Sequence, residues 1–209
     1  IHGGDPAIDT IVEMDGMKVG LTQGTNVHYM FENEVAAAGI TVEIVSAGPP
    51  DIVPALARGD VDAGAMFPSF YAGAAEVLGD AYQEIPVDSY GTHFILVATQ
   101  EMIDENPNVV TAVLASLYAG EQVVISDPAA SHQSVSNVLG GTLTPEDVAA
   151  ASVNYNFNMQ LNQEMLELMV DEGAWIIERG SIEGEPPTVE SIARFIDGSF
   201  LSGIDDSRV

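Results

Sequence analysis

The chain has 209 residues, 46% of them hydrophobic, which allows a sizeable buried core and excludes global disorder. Thirty-two acidic residues stand against five basic ones, a formal net charge of −27, which excludes nucleic acid as a partner because nothing here neutralises phosphates. The absence of cysteine removes disulfides, thiolate metal sites and cysteine nucleophiles together.

In chain order, Lys18-Val-Gly-Leu-Thr22 reads as a short strand, and Gly24-Thr25 opens a helical pattern that runs to Ala38 and stops at Gly39. Thr41 to Val45 is a second, β-branched strand. Gly48-Pro49-Pro50-Asp51 makes a turn, with Asp51 placed to cap a short helix through Ala57. A third strand, Asp62 to Met66, precedes a small-residue helix from Ser69 to Leu78. Then come a short segment near Ile85 and a strong strand from His93 to Ala98. Strands separated by single helices predict βαβ units, an α/β lobe with a parallel-dominated sheet and helices on both faces.

The second half carries almost no strand signal. Helices are expected at 108–126, 129–139, 144–153 (Thr144 as N-cap and Pro145 at the first position), 163–177 and 188–195, with a polar loop over 180–187. The expected division is therefore an α/β domain over 1–105 and a helical region over 106–209 that packs on something outside this chain. The uninterrupted apolar runs, such as Phe94 to Ala98, are too short to span a bilayer. The start shows neither a signal-peptide core nor a cleavage motif, and it opens at Ile1 rather than Met, so an upstream segment is expected to have been removed or not captured.

The acids are dispersed rather than gathered in a tail, and Lys18 is the one lysine. Self-repulsion of this size opposes a compact state in dilute buffer. At molar salt the Debye length falls to about 3 Å and most of that repulsion disappears. The pattern reads as adaptation to high salt.

Four stretches carry a resemblance. Asp15-Gly16-Met17-Lys18-Val19-Gly20-Leu21-Thr22-Gln23-Gly24-Thr25-Asn26 resembles the opening "L-K-G-K-K-V-(A/G)-V-x-x-G-(S/T)" of the second lobe in the nitrate/sulfonate/taurine and thiamine-precursor binding proteins of ABC importers. Pro50-Asp51 through Arg58-Gly59-Asp60-Val61-Asp62-Ala63 is similar to that family's "P-x-D-x-x-x-A-L-x-x-G-x-V-D-A". Phe94 to Thr99 followed by Asn106-Pro107-Asn108-Val109-Val110 looks like its exit from the lobe, and Ile196 to Leu201 like its tail motif. The order and spacing hold nearly end to end. The resemblance implies an extracytoplasmic solute-binding protein, tethered to the membrane as a lipoprotein and monomeric when intact. It would close two lobes on a small solute and dock on a membrane permease, with no enzymatic step and no cofactor. It also implies a first lobe, of roughly 100 residues, on which the C-terminal helices would pack. Two other readings stay open: an enzyme like the family's thiamine-pyrimidine synthases, and the ligand-sensing domain of a regulator.

The candidate ligand residues fall in three patches. Gln23, Gly24, Thr25 and Asn26 lie where a strand ends in a glycine turn that opens a helix, leaving backbone N–H groups free and the positive end of the helix dipole exposed. From the residues alone this is equally an ordinary N-cap; the resemblance implies that the loop faces the ligand and binds an anion. Phe67, Ser69 and Phe70 follow the third strand, where the family commonly shows "W-E-P-Y". Here the acid is replaced by Pro68 and the Tyr by Phe70, leaving an apolar wall with a hydroxyl, or core packing. Tyr90 and His93 precede the last strand, with His93 also readable as an edge histidine. His28, one turn into the first helix, reads either as a supplement to the anion site or as an exposed residue. His2 and His132 have no companions at metal-ligand spacing, so no metal is expected.

Overall fold

The structure is a computed structural model that describes residues 2–3, 8–87 and 89–209. Ile1, where the first expected domain begins, and the side chain of His2 lie outside the described residues.

The sheet has five short strands: β1 (His2–Gly3), β2 (Lys18–Leu21), β3 (Glu43–Ser46), β4 (Ala63–Gly64) and β5 (Tyr82–Gln83), in the order β3-β2-β4-β1-β5. β2 runs parallel to both β3 and β4, whereas β1 is antiparallel to β4 and β5. The expected α/β architecture with a parallel-dominated sheet is present. Alternation along β2 sends Val19 and Leu21 to one face and Gly20 to the other. Val19 and Leu21, both fully buried, join Ile8, Met14 and Phe31 under helix α1 (Asn26–Ala38). On the opposite face Ile52, Val53 and Leu56 of α2 (Pro49–Arg58) pack with Val61, Met66 and Ala74 of α3 (Tyr71–Leu78). Burying two such clusters supplies the main driving force for this unit. Gly64 is needed there: a Cβ on it would sit 2.7 Å from Ile52 Cγ2 and 2.9 Å from Met66 Cε.

Local signals explain most boundaries. α1 starts at the Thr25 N-cap and ends at Gly39 in the left-handed conformation, and α2 ends likewise at Gly59. The cap of α2 differs from expectation: Gly48 is the N-cap and Asp51 sits in the first turn, donating its N–H to Gly48 O at 2.9 Å. β3 begins two residues later than expected, because Thr41 gives its N–H to Asp15 Oδ1 and its carbonyl to Gly16 N–H. A 3₁₀ turn at Pro68–Phe70 precedes α3.

The expected strand over His93 to Ala98 does not form. Phe94, Ile95, Leu96 and Val97 are 55–84% exposed and in no ladder. A strand needs a partner edge for its N–H and C=O groups, and none of the described strands pairs with it. The short helix α4 (Gln100–Glu105) follows, capped by Thr99, whose hydroxyl accepts the Met102 N–H.

The rest is helical: α5 (Pro107–Ser126), α6 (Pro128–Val138), α7 (Pro145–Ser152), α8 (Gln163–Glu178), α9 (Val189–Ala193) and α10 (Ser199–Ser202). Thr144 caps α7 with a reciprocal bond to Asp147. Contacts divide the chain into two units, 1–93 with 170–187 and 94–169 with 188–209. Set beside the division expected at residue 105, the change falls at His93–Phe94. The last turns of α8 rejoin the first unit because Trp175 and Arg179 bond to α1.

In the second unit Arg208 reaches Glu121, which is 7% exposed, at 2.7 Å and Asp205 at 3.3 Å, and Tyr118 donates to Asp205 at 2.9 Å. Glu121 also accepts the Met159 N–H at 2.7 Å. Although no uninterrupted apolar run is long, α5 is long and apolar enough to cross a membrane by length and composition alone. Its Glu121 is instead paired inside the unit. Val109, Ala112, Val113 and Leu117 line an open groove of about 510 Å³ on its surface.

Candidate functional site

The sheet topology gathers four loops at one edge. β2, β3 and β4 are parallel, and β5 shares their direction because β1 is antiparallel to both β4 and β5. The segments that follow β2, β4 and β5 therefore leave from the carboxyl ends of their strands, where open α/β sheets hold ligands. These segments contain Gln23–Asn26, Phe67–Phe70 and Tyr90–His93, all three patches singled out in the sequence.

The loop after β2 is the best defined. Gly24 has φ 75°, a left-handed turn that a side chain resists. Gln23 and Gly24 are exposed, and Thr25 and Asn26 half-buried. The Thr25 hydroxyl donates to Thr22 O at 2.8 Å and accepts the His28 N–H at 3.3 Å, so its own donor is used within the turn. Asn26 and Val27 precede the first intrahelical donor, so their N–H groups have no acceptor in α1, and the positive end of the helix dipole lies beside them.

Tyr90 is brought to this loop. The Asn26 amide donates to Thr92 Oγ1 at 3.2 Å, and both side chains lie beside the Tyr90 hydroxyl. That hydroxyl donates to Glu172 of α8, and the Tyr90 ring packs edge-on to Tyr29. Burial first, then the Glu172 carboxylate, raises the Tyr90 phenol above its ordinary pKa. It stays protonated and can only be a hydrogen-bond group. His93 is exposed. Phe67 is half-buried and Ser69 exposed, while Phe70 packs against the cluster of Ile52 and Leu56, which gives it a core role.

His28 differs most from expectation. It is fully buried rather than exposed. Its Nδ1 accepts the Gly24 N–H at 3.1 Å, and its ring meets Trp175 edge-on with centroids 5.1 Å apart. Nε2 lies 3.2 Å from Glu32 Oε1, close enough for charge attraction but without the alignment of a hydrogen bond. Glu32 is held from α8 and the turn after it: Trp175 Nε1–H donates to Oε2 at 2.8 Å and Arg179 to Oε1 at 2.5 Å, with Arg179 also over the Trp175 ring. Burial holds the His28 pKa below its ordinary value; Glu32 opposes this and Arg179 adds to it. Thr92, Glu172, Trp175 and Arg179 were not foreseen. Scarcity was the available signal, since Trp175 is the one tryptophan and Arg179 one of five basic residues. Among the described residues, no three His, Asp or Glu side chains gather into a group that could hold a metal ion.

Residues 2–131 match the family described as NMT1/THI5 like. The chain belongs to the NMT1/THI5-like family. Three solved structures share its fold. The periplasmic aliphatic sulphonate binding protein SsuA from Escherichia coli has 19% identity and a TM-score of 0.71, over 94% of this chain and 63% of that one. The alkanesulfonate-binding protein SsuA from Xanthomonas axonopodis pv. citri, bound to MOPS, has 16% identity and a TM-score of 0.66, over 91% and 66%. A putative periplasmic sulfonate-binding SsuA from Methylobacillus flagellatus KT has 15% identity and a TM-score of 0.63, over 97% and 63%. The chain spans 63–66% of the length of these three structures. No curated protein sequence matches it.

Proposed function

We propose that this chain is the solute-capturing part of an extracytoplasmic binding protein that serves an ABC importer. Its solute is a small anion or anion-bearing organic molecule, with organic sulfonates ahead of nitrate and of thiamine-precursor pyrimidines. The observation that carries the reading is the Gly24–Asn26 turn at the carboxyl end of β2, in a fold shared with three sulfonate-binding proteins. Backbone N–H groups at the start of α1 supply the anion donors, the Asn26 amide and Tyr90 hydroxyl border them, and Phe67 and Ser69 offer an apolar wall with a hydroxyl. All of these bind and none is arranged as a nucleophile with its base, so capture without turnover is the expected chemistry.

A second α/β lobe is part of the proposal. The exposed Phe94–Val97 segment and the apolar face of α5 would be covered by it, and the solute would be held between two closing lobes. A membrane permease is the partner of the closed form, with a lipid anchor holding the intact monomer outside the cytoplasm. High-salt adaptation completes the reading, supported by the dispersed net charge of −27. Because salt screens that field, recognition rests on the local donors of the α1 turn rather than on long-range steering.

The test is a thermal-shift and calorimetric screen in molar KCl against ethanesulfonate, taurine, nitrate and aminopyrimidines, with product analysis of each mixture. Stabilisation by a sulfonate without consumption supports the proposal. Stabilisation by none of the anions, or chemical conversion of one, overturns it.

A further inference from the structure

Gly24 and His28 are joined in a way that binding alone does not require. The Gly24 N–H points back into the protein and donates to His28 Nδ1 at 3.1 Å. A backbone N–H can only donate, so Nδ1 must hold a lone pair and the ring proton must sit on Nε2. The ring cannot turn freely: it is fully buried, Trp175 stands edge-on at 5.1 Å, and Glu32 Oε1 lies 3.2 Å from Nε2. Glu32 itself is clamped by Trp175 and Arg179. The histidine is therefore fixed at one end by α8 and grips the exposed turn at the other.

We infer that His28 is a positioning residue for the anion-binding turn, holding Gly24 in place through its unprotonated Nδ1 and letting go when that nitrogen takes a proton. This rests on the reading of the turn as the solute site. A proton on Nδ1 would set two donors face to face at Gly24, and the turn would lose its inward anchor. The charged groups facing the ring are Glu32 from α1 and Arg179 from the turn after α8; Glu172, on α8, is committed to the Tyr90 hydroxyl. Burial holds the imidazole below its ordinary pKa, with Glu32 opposing and Arg179 adding to the shift, so the ring is neutral at neutral pH. Solute affinity should then fall on acidification through a group that never touches the solute.

The experiment follows the ¹⁵N-labelled chain by NMR in molar KCl from pH 8 to pH 5, reading the Gly24 amide, the His28 ring nitrogens and the response to ethanesulfonate. At pH 8 the ring proton should be on Nε2. The Gly24 amide should shift with the midpoint of His28 titration, and ethanesulfonate affinity should drop across it by roughly three- to tenfold, the worth of one hydrogen bond. His28→Asn, whose Oδ1 takes the place of Nδ1 and does not titrate, should keep neutral-pH affinity and lose the acid step. His28→Gln, which places its acceptor elsewhere, should bind weakly at every pH. A Gly24 amide that ignores His28 titration, or a proton on Nδ1 at pH 8, overturns the inference and leaves the solute site standing. A wild-type acid step that persists in His28→Asn also overturns it. If no amide from Gly24 to Val27 responds to ethanesulfonate at any pH, the solute-site reading falls, and with it the effect on affinity inferred here.

Discussion

Trp175 donates its indole N–H to the Glu32 carboxylate at 2.8 Å across 143 residues of chain. Trp175→Phe keeps most of the ring and removes the donor, leaving Oε2 unserved on a carboxylate that is about a quarter exposed. A loss of about 1–2 kcal/mol is expected, at the lower end of a charge-assisted bond because water replaces part of it. Urea unfolding at fixed KCl measures it, and an unchanged midpoint would show that the bond contributes nothing.

Gly64→Ala and Gly73→Ala should move in opposite directions. A Cβ at Gly64 meets Ile52, Met66 and Leu56 within 3.2 Å, and overpacking of this kind costs about 1–3 kcal/mol. Gly73 lies exposed inside α3 with open space around it, where alanine should gain roughly 0.5–1 kcal/mol. Paired melting curves test both, and equal shifts would contradict the packing of α2 on β4.

Asp205 provides an acid-side prediction. Bonds from Ser207, then from Tyr118, hold its carboxyl down at about 2. A depressed folded pKa contributes stability that is complete above the unfolded value near 3.9 and disappears as pH falls towards 2. Tyr118→Phe should raise the Asp205 pKa, move that loss to higher pH and leave neutral-pH spectra unchanged. Carboxyl-carbon NMR titration reads it, and an unmoved midpoint would rule out the Tyr118 contribution.

Arg208→Met should be the most damaging single change in the second unit. It leaves the buried Glu121 carboxylate with only the Met159 N–H to offset its charge. The double variant Arg208→Met with Glu121→Gln should recover part of the loss. Denaturation of the four-member cycle reports the coupling, and additive effects would deny it.

Raising KCl from 0.1 M to 2 M should stabilise the whole chain, as screening relieves a net charge of −27. Each kcal/mol recovered appears as about 2–4 °C in Tm for a chain of this size. A Tm that is flat or falls with salt would remove the case for salt adaptation.

Much of the α/β framework was legible because its signals are local. Gly39 ends a helix by its conformation, Thr144-Pro145 starts one, and Lys18 to Thr22 contains a strand. The three candidate patches are legible as loops for the same reason: each follows a strand of the sheet. Phe94–Val97 misled because β-branched and aromatic composition reports readiness to pair, whereas pairing needs a neighbouring edge. α4 escaped notice because six residues carry too little periodicity. The burial of His28 was hidden because what buries it, Trp175 on α8, stands far away in sequence and in no pattern.

The exposed Phe-Ile-Leu-Val-Ala run has one more consequence. It contains no charge and no proline, so copies of the chain can stack along it as intermolecular strands. In dilute buffer the mutual repulsion of like-charged molecules holds the copies apart. Salt at the level expected to firm each molecule should also let molecules meet, so the colloidal and conformational optima should fall at different ionic strengths.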